Sequence, residues 1–145
     1  MSKLIVPRRS LLLGSAAVAF APAAAFASSD LGKPAPAFSA TDSNGKSWSL
    51  AELKGKVVVL ETTNHDCPYV RKHYSSTNMQ TQQREAAAKG VIWLSLVASG
   101  PGEEGYVEAA QANELTRSRN AQPAGVLLDP QGVIEIGRAS CRERV

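Results

Sequence analysis

The chain alternates between short runs that are apolar on both faces and longer stretches with a helical rhythm. Lys56 leads into Val57-Val58-Val59-Leu60, a β-branched run of the kind expected of a central strand covered on both sides. Val91 to Ala98 repeats that pattern, and Ala124 to Leu128 supplies a third strand. Between the first two, Thr62 to Asp66 is a loop and Cys67-Pro68 opens a helix, because a first turn does not need proline's missing N–H. Ser75 to Asn78 interrupts this helix. Asn78 caps a second helix from Met79 to Lys89, which Gly90 closes. Gly100 to Gly105 is a loop, and Tyr106 to Arg119 a helix with Val107, Ala110 and Leu115 inward. Asp129-Pro130-Gln131-Gly132 then turns the chain, and Val133-Ile134 begins a partner for the third strand.

Upstream, Lys33-Pro34-Ala35-Pro36 is an extended lead-in, since each proline disfavours helix in the residue before it. Ala37 to Thr41 and Lys46 to Trp48 flank Ser43-Asn44-Gly45, whose Asn-Gly pair favours the positive φ of a hairpin turn. Ser49 to Leu53 is a short helical turn ended by Gly55. Strands alternating with helices predict an α/β sheet with right-handed crossovers, built as one domain over residues 28–135.

The two ends read differently. Lys3, Arg8 and Arg9 precede an apolar stretch from Leu11 to Phe26, and Ala25-Phe26-Ala27 offers a small-x-small cleavage site. Residues 1–27 are therefore expected to be a signal peptide. Arg8-Arg9 ahead of Leu11-Leu12-Leu13 resembles a bacterial twin-arginine address, which implies export to the periplasm and no membrane attachment after cleavage. The competing reading is one membrane helix, for which Pro22 and many alanines are poor material. At the other end, residues 136–145 lack apolar periodicity. Gly137 to Val145 back-translates into something that resembles a common sequencing adapter read in frame. We treat this as a non-native tail, against the alternative of a genuine basic tail with a working Cys141.

Charge follows from the ends. The whole chain carries 16 Lys and Arg against 13 Asp and Glu, a formal +3. From Ser28 to Glu135 there are ten basic and twelve acidic side chains, a net −2. The basic balance thus belongs to the leader and tail, and no nucleic-acid surface is expected. Of the 2 cysteines, only Cys67 lies in the domain, so this is not a disulfide scaffold.

Cys67 is the candidate nucleophile. A thiol where a buried strand hands over to a helix faces unpartnered backbone N–H groups and the positive end of the helix dipole, and both favour thiolate. The neighbouring Asp66 pulls the other way. The alternative is a buried, inert cysteine. His65, Asp66, Cys67 and His73 are good ligand types, but their spacing matches no standard zinc pattern. No cofactor is expected. Gly100 to Gly105 is glycine-rich, yet Glu103 and Glu104 would repel phosphate.

The segments Gly32-Lys33-Pro34-Ala35-Pro36-Ala37-Phe38, Asn44-Gly45-Lys46 and Asn64-His65-Asp66-Cys67-Pro68-Tyr69-Val70 resemble the thioredoxin superfamily. The closer likeness is to its peroxiredoxin-like branch, the alkyl-hydroperoxide-reductase/thiol-specific-antioxidant or redoxin domains. The resemblance covers about Leu31 to Ile134. It implies a thioredoxin-like fold with an N-terminal β-hairpin extension, here truncated at its C-terminal end and left with an unpaired edge. It also implies Cys67 as the nucleophile, a peroxide or disulfide substrate, and an external thiol reductant. Two positions depart from the pattern. Val70 stands where thioredoxin-type enzymes carry a second cysteine, and Asn64 where typical peroxiredoxins carry threonine. The family's supporting arginine comes from a later strand, which leaves Arg71 as the nearby substitute. The expected function is a one-cysteine peroxidase with Asn64, His65 and Arg71 positioning peroxide or biasing the thiol's ionisation. A thiol–disulfide exchange protein and a non-enzymatic redox sensor or binding module are the alternatives. His73 reads as structural or surface.

Overall fold

The structure is a computed structural model that describes residues 35–134. The expected signal peptide, the start of the lead-in and the tail with Cys141 lie outside the described residues. The element order is β1 (Ser39–Thr41), β2 (Ser47–Ser49), β3 (Val58–Thr62), α1 (Pro68–Ser75), α2 (Asn78–Ala88), β4 (Ile92–Val97), α3 (Ala109–Ser118) and β5 (Gly125–Leu128). β1 and β2 form an antiparallel hairpin. β3, β4 and β5 form a parallel sheet in that order, with Leu60 opposite Leu94 and Leu96 opposite Leu127.

The period of two in each strand divides the sheet into an apolar face and a mixed one. Leu94, Leu96 and Leu127 point to the first face, where they pack with Phe38, Trp48 and Ile134. Here the hairpin, not a helix, covers the sheet. Its turn is pinned to β5 by an Asp42–Leu127 bridge and by the Ser43 N–H donating to the Val126 carbonyl at 2.8 Å. Asp42 is buried; its carboxylate accepts the Trp48 indole N–H at 2.9 Å and the backbone N–H groups of Asn44 and Lys46. The second face carries the helices. Val97 and Val126 meet Ala112 of α3, while Glu61 and Ser95 lie under α1 and α2.

Several expectations shift. Among the described residues β3 pairs with β4 alone, at one side of the three-stranded sheet. Val57, at 67% exposure, precedes it. The β-branched run reports strand propensity, whereas coverage depends on what docks beside it. Of the Asn44-Gly45 pair only Gly45 takes positive φ, because the Asp42 carboxylate organises the turn around its own amides. Thr77, at φ 62, occupies the N-cap of α2, and Asn78 is the first helical residue. α3 starts at Ala109, so its inward positions are Ala112 and Leu115 while Ala110 is exposed. Val133 and Ile134 begin no strand, since the Asp129 carboxylate accepts both of their N–H groups in a turn. Among the described residues, no helix is long and apolar enough to cross a membrane.

Candidate active site

β3 ends at Thr62, and the loop that follows delivers Cys67 to the N-cap of α1. Cys67 has φ −62° and ψ 124°, the extended backbone usual for a capping position. Its N–H donates to the Asn64 carbonyl at 3.2 Å, and its carbonyl accepts the Arg71 N–H at 3.0 Å. The thiol makes no capping hydrogen bond and is partly exposed. Pro68 has no N–H to offer. The first-turn donors without an intrahelical partner are therefore those of Tyr69 and Val70. Tyr69 is 75% exposed, so the side of the site beyond the sulfur is open.

Of the expected site residues, Asn64, His65 and Cys67 share one loop, while Arg71 lies one turn along α1, exposed. The Asn64 side chain is used structurally. Its amide NH₂ donates to the Glu104 carbonyl at 3.1 Å, and its oxygen accepts the Asp66 N–H at 2.8 Å. Ser99 donates to the same Glu104 carbonyl at 2.9 Å, so the loop after β4 is laced to the cysteine loop. Gly105 makes this possible: its φ is +86°, and a Cβ there would overlap the Asn64 amide. The His65 ring lies 3.3 Å from the Asp66 carboxylate. His73 sits away from the loop, its Nδ1 3.1 Å from the Asn78 amide. Among the described residues no group of three His, Cys, Asp or Glu side chains is placed to hold a metal ion.

Residues that the motif reading passed over complete the surroundings. The Glu61 carboxylate, one residue before the end of β3, accepts Tyr74 Oη at 2.8 Å, Trp93 Nε1 at 2.8 Å, Ser95 Oγ at 3.1 Å and Gln83 Nε2 at 3.4 Å. Burial pushes the Tyr74 hydroxyl well above its ordinary range, and the charge and hydrogen bond of Glu61 add to the effect. Arg119, at the end of α3, stacks over the Tyr74 ring at 5.2 Å and donates to the His65 carbonyl at 3.4 Å. A carboxylate closing an apolar β-branched run was the one available signal for Glu61. Nothing local marks Arg119, because its contacts span 54 residues of sequence.

Comparison with known proteins shows the family and the fold. The AhpC/TSA family matches residues 31–136. No curated protein matches the chain. Among solved structures, a hypothetical protein from Sinorhizobium meliloti aligns with a TM-score of 0.59 and 15% identity, covering 69% of this chain and 54% of its own. A putative protein disulfide isomerase from Bacteroides thetaiotaomicron gives 0.54 and 23%, covering 70% and 58%. A secreted Mycobacterium tuberculosis disulfide oxidoreductase homologous to the Escherichia coli protein DsbE gives 0.50 and 23%, covering 67% and 63%. This chain therefore spans less than two thirds of the length of each. At these identities the likeness establishes a shared fold, the thioredoxin-like one.

Proposed function

This chain belongs to the AhpC/TSA family, within the thioredoxin-like redox proteins, and from that premise we propose that it is a thiol-dependent peroxidase acting through Cys67 alone. The observation that carries the reading is the placement of Cys67: partly exposed, at a helix N-cap, with a thiol that makes neither a capping hydrogen bond nor a disulfide. A helix N-terminus accommodates negative charge on sulfur, and the Tyr69 and Val70 amides lie at that terminus.

In the proposed cycle the Cys67 thiolate attacks one oxygen of a hydroperoxide and the O–O bond breaks. The sulfur becomes sulfenic acid, and the leaving alkoxide takes a proton to become an alcohol. An external thiol then displaces water from the sulfenic acid and forms a mixed disulfide. A second thiol releases Cys67 as thiol, and the two reductant molecules leave joined as a disulfide. With Val70 in place of a second cysteine, the motif itself supplies no resolving thiol.

Thiol–disulfide exchange with protein partners is the second reading. It is favoured by solved structures of like fold described as a putative protein disulfide isomerase and a disulfide oxidoreductase. The signal-like leader supports a periplasmic place of action for either. Peroxide consumption coupled to an added thiol separates the two: turnover that vanishes in Cys67→Ser supports the peroxidase. Wild-type protein that consumes no peroxide but accumulates mixed disulfides with exported proteins would replace it with exchange.

A further inference from the structure

A cavity of about 40 Å³ lies beneath the cysteine loop, between the helical face of the sheet and α3. Its floor is apolar, formed by Val97, Val126 and Leu115. Its polar end is built from Thr63, His65 and Arg119. One polar group at that end is unsatisfied, and beside it stands a cation. The Thr63 hydroxyl is buried with no hydrogen-bond partner, a state that ordinarily calls for a water or a ligand. Arg119 also lines the cavity; its guanidinium donates to the His65 carbonyl and stacks on the Tyr74 ring, and among the described residues it has no salt bridge to a carboxylate. A charge at a partly buried position gains from a counter-ion there more than it would at the surface.

Two further lining residues set the charge that fits. Tyr74 and Ser95 also line the cavity, but both hydroxyls donate to Glu61, so they present acceptors. The Glu61 carboxylate lies behind them, satisfied by four donors. One negative charge placed against Arg119 and Thr63 is accommodated; a second would face Glu61. The room suffices for a carboxylate and a short apolar stem, given that one water needs about 10–15 Å³ on this measure.

The cavity also borders the cysteine loop, since His65, two residues before Cys67, lines it. The guanidinium is 3.4 Å from the His65 carbonyl, and consecutive Cα atoms are about 3.8 Å apart. Arg119 therefore stands within about 10 Å of the Cys67 backbone. From this we infer that the cavity seats the carboxylate of a small anionic thiol, the external reductant of Cys67, with Arg119 and Thr63 binding the carboxylate. The inference rests on Cys67 being the reacting thiol. The step it serves is attack of the seated thiolate on oxidised Cys67, forming the mixed disulfide and expelling the group bound to sulfur.

The test uses the full chain carrying Cys141→Ser, with Cys67 converted to its 2-thiopyridine mixed disulfide. Release of thiopyridone is timed with 3-mercaptopropionate, 2-mercaptoethanol and cysteamine. Arg119→Gln is expected to slow 3-mercaptopropionate about tenfold, the worth of one charge-assisted contact, while leaving 2-mercaptoethanol within about twofold. The ratio between the two proteins cancels each thiol's intrinsic reactivity. Independently of folding in the variant, propionate added to the Arg119-containing protein is expected to slow 3-mercaptopropionate competitively and to leave 2-mercaptoethanol unaffected. Equal slowing of all three thiols by Arg119→Gln, or no competition by propionate, overturns the inference. Failure of Cys67 to form the thiopyridine adduct at all would instead remove the redox reading on which it rests.

Discussion

Tyr74 of α1 donates its phenolic hydrogen to the Glu61 carboxylate of β3 across 2.8 Å, and that bond holds the cysteine-bearing helix to the sheet. The same carboxylate receives Trp93 and Ser95 from β4 and Gln83 from α2, so one acidic group gathers two strands and two helices. Glu61→Leu keeps the bulk but strands several buried donors at once. We expect a loss of about 3 kcal/mol or more in denaturant unfolding, against about 1 kcal/mol for Tyr74→Phe, which leaves Glu61 three donors. Comparable losses for both variants would show that the network is not centred on Glu61.

Alkaline pH tests the same pair through its sign. The Tyr74 hydroxyl has its ionisation pushed upward from an ordinary value of 10.0 by burial and by Glu61. A group with a raised folded-state pKa contributes fully below the unfolded value, and its contribution is lost as pH rises toward the folded one. Stability should therefore fall above pH 10, and more steeply in the parent than in Tyr74→Phe. Identical alkaline slopes would place the effect elsewhere.

Asp42 governs the acid side. Burial pushes its carboxyl upward, but the Trp48 indole, the amides of Lys46 and Asn44 and the Lys46 charge together outweigh burial, and the net shift is below 3.8. Its contribution is present above the ordinary carboxylate value and lost as pH falls through the lower folded one. Asp42→Ala should cost about 1–3 kcal/mol near neutrality, since it leaves the Trp48 N–H buried without a partner. The difference from the parent should shrink below pH 4. A difference that stays constant down to pH 2 would rule out the ionised form as the source.

Gly105→Ala probes the lacing of the two loops. The substitution meets both a positive φ and the Asn64 amide, and should destabilise by about 1–3 kcal/mol. Faster hydrogen exchange is expected at Asp66 and Cys67, whose N–H groups bond to Asn64. Unchanged exchange at those amides would mean that Asn64 does not hold the loop.

Cys67→Ser should abolish any peroxide- or disulfide-linked turnover while shifting stability by less than about 0.5 kcal/mol, because the thiol is partly exposed and makes no hydrogen bond. Urea titration of the variant beside the parent checks the second half. A large loss of stability would make the cysteine a packing residue.

Much of this was legible in the chain because local chemistry decides it. Proline after Cys67 fixed where α1 begins, and apolar runs marked β3, β4 and β5 to within two residues. What escaped depends on partners distant in sequence. β3 reads like β4, yet among the described residues only β4 has strand neighbours on both sides. The inward face of α3 turned on whether the helix starts at Tyr106 or Ala109, a few residues that rotate every later position. Asn64 carries a donor fit for a substrate, but the approach of Glu104 commits it to the loop. Glu61 and Arg119 act through residues brought close only by the finished sheet.

The hairpin carries a kinetic corollary. Ser43 bonds to Asn113, 70 residues away, and to Val126 on the last strand, so its docking partners are synthesised long after it. Loop closure over that span precedes any gain from the contact, which places hairpin docking late and makes it slow. Until β5 arrives, the indole of Trp48 and the ring of Phe38 lack Leu127 and the bonds to Leu127 and Val126 that pin the hairpin, with only Leu94 and Leu96 of β4 to pack on. Nascent chains therefore pass through a stage in which these two aromatics are sticky, and holdase chaperones would find them there.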